Sequence, residues 1–201
     1  MEESTLYLAA SPHTRAQVLT TPCPVPATPG SYGWWFRELP AEINTSGCAK
    51  KDGLTLLYPG ISPSALLVNG KAPSKQTLRT RIKTHYRGNA AGSTLRLALG
   101  CLMSDQLGVE LRLVGSGKRL TFVAGEKVLS EWMAENALVS WVLNPEPWVL
   151  EHQLISSLDG SFNLDANAHN SFFPTLKAAR QSARDRAREL PVVPNPGVGG
   201  K

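Results

Sequence analysis

Three short segments of almost continuous apolar residues constrain the fold of this chain more than any other feature. Their sequences are SYGWWF (31–36), GLTLLYPG (53–60) and ALVSWVL (137–143). Short runs that are rich in aromatic and β-branched residues favour β-strands over helices. The second run lacks polar alternation, which is typical of a strand that is buried on both faces. We therefore expect each of the three segments to form a β-strand.

Helical patterns occur between and after these segments. Leu78, Ile82 and Tyr86 follow one another at four-residue spacing, which predicts a helix, and Gly88 is a typical stop residue. Ser93 fits the N-cap of a second helix. Two more helices are predicted over EKVLSEWMAEN (126–136) and TLKAARQSARDRAREL (175–190).

The length of 201 residues, of which 42% are hydrophobic, is enough for one core with extensions. We expect residues 1–28 to form an N-terminal extension, with a short helix capped by Ser11 and a Pro-rich connector. The folded core should cover residues 29–173. A basic helix should follow over 174–190, and the tail over 191–201 should be disordered.

The sequence favours neither a membrane span nor a framework of disulfides or cysteine-bound metal. No run approaches the roughly 18 apolar residues that span a bilayer, and the N-terminus lacks a basic segment that leads into an apolar one. Cys23, Cys48 and Cys101 are far apart and lack the paired spacing of a zinc site, so neither disulfides nor a cysteine metal site is expected. The prediction is a cytoplasmic protein that does not bind membranes.

Basic residues are concentrated in one part of the chain. Between Asp52 and Asp105 the sequence contains no acidic residue and seven cations, more than the net charge of +5. Such a patch favours nucleic acid, through phosphate contacts that release counterions. The alternative is a solvated basic face without a partner. The residues expected to contact nucleic acid are Lys71, Lys75, Arg79, Lys83, Arg87 and Arg96.

Glu151 occupies an unusual position on a predicted helix. Leu150, Leu154 and Leu158 recur at four-residue spacing, and Ile155 widens this apolar stripe. Glu151 lies one turn before Ile155, on or beside the inward face, where an unpaired carboxylate costs several kcal/mol or takes up a proton. Either the side chain turns out to solvent, or it has a partner that compensates its charge.

Four sequence motifs occur in one order: PGSY, LLYPG, LRTRIKTHY and LEHQLISSLDGSFN. In these motifs the chain resembles the GIY-YIG nuclease family, which includes phage homing endonucleases, the nuclease subunit of bacterial excision repair and some restriction enzymes. Gly30-Ser31-Tyr32 would correspond to the first triplet of the family's name, and Tyr58-Pro59-Gly60 to the second. Arg81 falls where the family has its helix arginine, Glu151 where it has its metal-binding glutamate, and Asn163 where it has its terminal asparagine.

The resemblance implies an α+β fold with a small, three-stranded, mainly antiparallel sheet flanked by helices. A hairpin turned at Gly115–Gly117 would be inserted into this fold, and a basic C-terminal helix would be added. The second triplet departs from the family pattern. Pro59 cannot donate a ladder hydrogen bond, so the strand must be at an edge or bulged there. Ile61 stands where repair members often carry a cation, which removes one helper for proton transfer.

The resemblance also implies the chemistry of a metal-dependent DNA endonuclease. A single carboxylate can hold Mg²⁺, because this ion keeps several waters and uses phosphate oxygens as further ligands. Glu151 would bind Mg²⁺, or another divalent cation such as Mn²⁺, and the cation would offset the charge beside the apolar stripe. Arg81 would place its guanidinium on phosphate oxygens. Arg79 competes for this role but lies on a different helix face.

The other site residues are assigned by the same resemblance. Tyr58 would be the general base, and Tyr32 would orient the water or the phosphate. His85 follows Arg81 by four residues and shares its helix face; it either belongs to the site or is a partly buried histidine bonded to the backbone. Asn163 would fix strand ends or the phosphate, or would simply be a turn residue.

Two functions of different classes are compatible with these observations. The first is a DNA endonuclease that acts alone or as a homodimer on DNA. The second is a catalytically inactive nucleic-acid-binding module that retains the fold, which the longer spacings between the motifs and Ile61 allow. The presence of Tyr32, Tyr58, Arg81 and Glu151 together favours the enzyme.

Overall fold

A computed structural model gives the fold of this protein. It describes residues 5, 8–40, 43–64, 74–149, 154–155, 160–164 and 167–195. The α-helices of this part are α1 (Arg15–Val18), α2 (Leu78–Arg87), α3 (Thr94–Leu102), α4 (Ser104–Leu107), α5 (Gly125–Asn136) and α6 (Phe173–Glu189). The strands are β1 (His13–Thr14), β2 (Gly30–Phe36), β3 (Lys50–Lys51), β4 (Leu54–Ser62), β5 (Arg112–Val114), β6 (Arg119–Thr121) and β7 (Ala137–Leu143).

The main sheet is antiparallel and has the strand order β1-β7-β2-β4-β3. Its three long strands, β7, β2 and β4, are the three apolar segments predicted from the sequence. The prediction of a three-stranded sheet was nevertheless wrong, because the main sheet of the described residues has five strands. The two additional strands, β1 and β3, are two residues long and lie at the edges. A strand of that length leaves no period-two pattern that a sequence reading could detect.

Strand β2 lies at the centre of the sheet and is buried along its whole length. Its side chains alternate between the two faces, as the strand period requires. Trp34 and Phe36 belong to the main core, which the helices cover. Trp35 points to the other face, where it joins a smaller cluster with Leu56 and Leu154. Apolar side chains thus pack on both faces of the sheet. The combination of helices with an antiparallel sheet confirms the α+β class predicted from the sequence.

Pro59 lies in the part of β4 that β3 does not reach, so its missing N–H removes no hydrogen bond between strands there. Strand β4 pairs with β2 on one side, with a register shift one position away. On the other side, the amide of Phe162 donates to Leu57 O (2.9 Å), and Asn163 Nδ2 donates to Pro59 O (2.9 Å). A Cβ atom at Gly160 would lie 2.2 Å from Pro59 Cδ, so only glycine allows this close approach. The sequence predicted an edge or a bulge at Pro59; the described residues show no strand pairing on this side of Pro59 and a register shift nearby.

Helix α2 begins and ends where its sequence indicates. Thr77 is the N-cap and accepts a hydrogen bond from the amide of Thr80, while Gly88 follows the last turn. The predicted apolar stripe is fully buried, and the hydroxyl of Tyr86 donates to Ala137 O (2.9 Å) on β7. Burial raises the pKa of this phenol. The stripe and this hydrogen bond fix α2 against the sheet.

Arg96 is completely buried and forms an ion pair with Glu126. Its Nε and Nη2 atoms donate to Glu126 Oε2 at 2.9 and 2.8 Å, and Nη1 donates to His85 O at 3.3 Å. The other carboxylate oxygen, Oε1, accepts the amides of Ala90 (2.8 Å) and Phe122 (3.0 Å). Burial lowers the pKa of Arg96, and the charge of Glu126 opposes that shift. Arg96 is therefore a structural residue and not part of the nucleic-acid surface predicted from the sequence.

The C-terminal helix packs on the rest of the fold. Leu176 and Ala187 on α6 are fully buried. After this helix the chain runs along β5, where the amide of Val193 donates to Leu113 O and the amide of Gly115 donates to Val193 O, both at 3.0 Å. Within residues 191–195, for which the sequence predicted disorder, Val193 is therefore paired with β5. The rest of the predicted tail, 196–201, lies outside the described residues.

The N-terminal extension differs from the predicted helix with Ser11 as its cap. His13 and Thr14 instead pair with β7 as strand β1, and α1 begins only after Thr14. Thr14 and Gln17 form a capping box, in which each side chain bonds the backbone of the other. This pair fixes the start of α1 three residues later than predicted. Among the described helices, none is long and apolar enough to cross a membrane.

We expect Glu126→Gln to lower the free energy of unfolding by about 3 kcal/mol, because Arg96 would keep its charge in the interior without a counter-ion. Urea denaturation followed by tryptophan fluorescence measures this change. The matched control is Glu131→Gln, which breaks the exposed Lys127–Glu131 pair (3.9 Å) and should change stability by less than about 0.5 kcal/mol. Equal losses in the two variants would show that the buried pair is not an anchor of the fold.

Candidate active site

Four of the predicted site residues meet at one end of the sheet. The strand register places Tyr32 opposite Gly60 and Tyr58 opposite Trp34, so the two tyrosines are diagonal neighbours on one face. Their ring centroids are 6.4 Å apart. Helix α2 adds Arg81, whose Nε donates to the Tyr32 hydroxyl at 3.4 Å. The same helix adds His85, described below.

Gly60 makes the approach of Tyr32 to strand β4 sterically feasible. A Cβ atom at this position would lie 2.7 Å from both Cζ and the hydroxyl oxygen of Tyr32. Any side chain would therefore displace the phenol from its contact with Arg81. The glycine of the second triplet thus has a direct steric role in the site.

The Arg81 side chain lies beside both phenols. Its Nη1 donates to Gly92 O at 2.9 Å. Burial lowers the pKa of Arg81, but Tyr32 and Tyr58 more than offset that effect, so the pKa is raised and the guanidinium stays charged. Arg79, the competing residue, donates from Nε to Val25 O at 2.7 Å and so faces the N-terminal connector. The structure thus brings Arg81, and not Arg79, to the tyrosines.

His85 is fully buried and bonded to two side chains of the site. Its Nε2 lies 3.0 Å from the Tyr32 hydroxyl, and its Nδ1 lies 2.7 Å from Ser93 Oγ. Burial lowers the pKa of His85 well below its usual value, and the cations Arg81 and Arg96 lower it further. The imidazole is therefore neutral, with one nitrogen that donates and one that accepts. Its ring is bonded to site side chains, which favours a role in the site over the alternative of a histidine bonded to the backbone.

Two site residues escaped the sequence reading as functional groups. Ser93 was predicted only as the N-cap of α3, which it is, since its Oγ accepts the amide of Arg96 at 3.1 Å. It also holds His85. Thr94, the first residue of α3, places Oγ1 2.9 Å from the Tyr58 hydroxyl. One sequence feature could have indicated these two residues. Ser93 was a predicted N-cap, so helix α3 was expected to begin a few residues after the helix that carries Arg81.

Asn163 fixes the edge of β4, which was one of its predicted roles. Its Nδ2 donates to Pro59 O. Its Oδ1 is buried and has no hydrogen-bond partner among the described residues. Asn167 supports this segment, because its Nδ2 donates to Gly160 O (2.9 Å) and Asn163 O (3.1 Å). Contact of Asn163 with a phosphate stays a prediction.

Glu151, the predicted metal ligand, lies outside the described residues. One helical turn further along, Leu154 and Ile155 are buried, as the predicted apolar stripe requires. Within the described part of the chain, no group of three or more His, Cys, Asp or Glu side chains could hold a metal. The described site residues supply a guanidinium, phenols, hydroxyls and an imidazole but no carboxylate. A Mg²⁺ site here would therefore depend on Glu151, and one carboxylate is sufficient for that ion.

The predicted nucleic-acid contacts differ in exposure. Lys75 and Arg87 are exposed, and Lys83 is partly exposed on α2. Arg79 is partly exposed and bonded to Val25 O, as described above. Lys71 lies outside the described residues. Lys83 and Arg87 are four residues apart and share a face of α2, which is not the face of Arg81. The contact of Lys75, Lys83 and Arg87 with nucleic acid stays a prediction.

Comparison with protein families identifies the arrangement. The family model described as the GIY-YIG catalytic domain matches residues 30–182. The chain belongs to the GIY-YIG family. The match begins at the first triplet and continues into α6, past residue 173, where the folded core was predicted to end. Neither the curated proteins nor the solved structures contain a significant match to the chain.

The buried His85 of this GIY-YIG domain should make stability depend on pH. Its pKa is lowered in the folded state, so below the unfolded value of about 6.5 the unfolded chain binds more protons. Stability should therefore be lost as the pH falls below about 6.5, by up to about 1.4 kcal/mol per pH unit from this group. Denaturant unfolding of wild type and His85→Asn at several pH values between about 4.5 and 7.5 measures the difference.

The exposed His169 provides the control, because His169→Asn should leave the pH dependence of the wild type in place. A His85→Asn profile parallel to that of wild type over the same interval would contradict a neutral, buried imidazole.

Proposed function

We propose that this protein is a metal-dependent DNA endonuclease that hydrolyses phosphodiester bonds at the site formed by Tyr32, Tyr58, Arg81 and His85. The observation that carries this proposal is the environment of Arg81. Its guanidinium lies between phenols and a backbone carbonyl, and no salt bridge of the described residues involves it. A charged guanidinium without a carboxylate partner can bind the oxygens of a phosphate.

The two tyrosines differ in ways that support different roles. Tyr32 is almost fully buried, and its hydroxyl contacts Arg81 and His85. It is suited to orienting the guanidinium. Tyr58 is slightly more exposed, and its hydroxyl reaches the exposed Thr94 at the surface. Tyr58 is therefore the better candidate to accept the proton of an attacking water, which agrees with the role implied by its position in the second triplet.

In the proposed reaction each group has one task. Arg81 binds the phosphate and stabilises the negative charge that grows on it. Tyr58 acts as the phenolate, which accepts the proton of the water and becomes a neutral phenol. The Tyr32 hydroxyl accepts the hydrogen bond from Nε of Arg81. Neutral His85 holds the Tyr32 hydroxyl. A divalent cation such as Mg²⁺ or Mn²⁺, bound by Glu151, would supply further positive charge for the leaving oxygen.

A catalytically inactive nucleic-acid-binding module remains the second candidate. It is favoured by Ile61, which is buried on β4 opposite Ser31 and provides no cation near the second triplet. The two candidates differ in one outcome only, since both bind DNA and only the first cleaves it. Action as a homodimer on DNA also stays a prediction.

Glu151→Gln should abolish cleavage and leave DNA binding nearly unchanged. Glutamine has the size of glutamate but lacks the charge that holds the cation, and loss of several kcal/mol of transition-state stabilisation lowers the rate by roughly 1,000-fold. Nicking of supercoiled plasmid with Mg²⁺ measures the first effect, and a gel-shift titration measures the second.

The control for this variant is Glu146→Gln, which removes an exposed carboxylate five positions earlier and should leave nicking unchanged. A Glu151→Gln protein that nicks plasmid at nearly the wild-type rate would end the assignment of Glu151 as the metal ligand.

The Lys83→Ala/Arg87→Ala double variant should weaken DNA binding and its salt dependence. Each lost phosphate contact reduces the slope of log affinity against log salt by about 0.9, so two contacts reduce it by roughly 1.8. Fluorescence anisotropy with labelled duplex at several salt concentrations measures the slope. Lys118→Ala/Lys127→Ala removes the same charge from exposed positions that do not belong to α2 and serves as the control. Equal slopes for the two double variants would place the DNA on another surface.

A further inference from the structure

A three-residue turn, Gly92–Thr94, contacts three side chains of the site. We call it the 92–94 turn. Gly92 O accepts Nη1 of Arg81 at 2.9 Å, and Ser93 Oγ lies 2.7 Å from Nδ1 of His85. Thr94 Oγ1 lies 2.9 Å from the hydroxyl of Tyr58. The turn thus contacts Arg81, His85 and Tyr58.

The Thr94 hydroxyl is not needed to begin helix α3. Ser93 is the N-cap and supplies the side-chain oxygen that accepts the amide of Arg96. Thr94 is the first helical residue and is exposed, so water could satisfy its hydroxyl. The hydroxyl bonds Tyr58 instead. A helix-forming role therefore does not explain why a hydroxyl stands at this position.

Glu126 forms hydrogen bonds with residues on both sides of the 92–94 turn. Arg96, two residues after Thr94, is fixed in the core by Glu126. The same carboxylate accepts the amide of Ala90, two residues before the turn. The chain on both sides of the turn is thus bonded to one carboxylate, that of Glu126, while the Thr94 oxygen lies 2.9 Å from the Tyr58 hydroxyl of strand β4. A hydrogen bond from a preorganised partner restricts the group it contacts more than one from mobile water does.

We propose that Thr94 is a positioning residue that fixes the hydroxyl of Tyr58 for catalysis. A phenol hydroxyl can make one hydrogen bond as donor and two as acceptor. The bond to Thr94 uses one of these positions and fixes the direction of the others, one of which must meet the attacking water. This inference rests on the proposed nuclease function and adds to it a residue of α3. Ser93 and Gly92 serve His85 and Arg81 in the same way.

The test compares Thr94→Val with Thr94→Ser. Valine has the shape of threonine without the hydroxyl, and serine keeps the hydroxyl. Loss of the bond should lower kcat for plasmid nicking by about 10- to 100-fold, since small misplacements of catalytic groups have effects of this size. KM for DNA should stay within about twofold, because Thr94 is not proposed to bind the phosphate. Thr94→Ser, which keeps the hydroxyl, should have a kcat near the wild-type value.

Two further measurements separate positioning from folding. Tm should change by no more than about 2 °C in both variants, because the side chain is exposed. The NMR resonance of Tyr58 Cζ in ring-labelled protein should move in Thr94→Val and stay in place in Thr94→Ser, which reports the hydrogen bond without any cleavage. Thr175→Val, an exposed threonine in the first turn of α6, controls for the same substitution at another helix start.

Three results would overturn the proposal. In the first, Tyr58 Cζ does not move in Thr94→Val, which would show that the bond is absent. In the second, the resonance moves but kcat in an active enzyme is unchanged, which would show that the bond does not serve catalysis. In the third, wild type cleaves no DNA with any divalent cation; this result removes the nuclease function itself and is recognised without any Thr94 variant.

Discussion

The buried ion pair between Arg96 and Glu126 is the interaction on which the rest of the structure depends. Removing two charges from water costs several kcal/mol per ion, so such a pair persists only when its hydrogen bonds are well satisfied. Here the guanidinium bonds both the carboxylate and the carbonyl of His85. The carboxylate in turn bonds the amides of Ala90 and Phe122. A lysine could not make this set of bonds, because its ammonium lacks the planar fork of arginine.

The site follows from this anchor and from the register of the sheet. Strands β2 and β4 place the two tyrosines on one face, and α2 brings Arg81 and His85 to them. The 92–94 turn then forms hydrogen bonds with three of these four side chains. Each polar group of the site is thus positioned by a bond to a second group, which is how a protein keeps a charge such as that of Arg81 directed at a substrate. The neutral His85 fits this arrangement, because a second cation beside Arg81 would repel it.

The sequence predicted those features that have a period or a motif. The three long strands, the hairpin of the antiparallel pair β5–β6 and the helices α2, α3, α5 and α6 follow from patterns in the sequence. Tyr32, Tyr58 and Arg81 follow from the order of the motifs along the chain. The burial of Arg96 could not be predicted, because a cation within a basic segment looks like a surface residue. Its partner Glu126 lies far along the chain and carries no local signal. Thr94 escaped notice for a related reason, since a threonine at a helix start is common and its contact with Tyr58 depends on tertiary packing.

The most direct test of the proposed function is whether the wild-type protein cuts DNA with a divalent cation. Supercoiled plasmid is incubated with the protein and Mg²⁺, and in parallel with a chelator in place of the cation. We expect conversion of supercoiled to nicked plasmid with Mg²⁺ and none with chelator. A protein that binds the plasmid but leaves it supercoiled, with either Mg²⁺ or Mn²⁺, would contradict the nuclease function and identify the domain as a binding module.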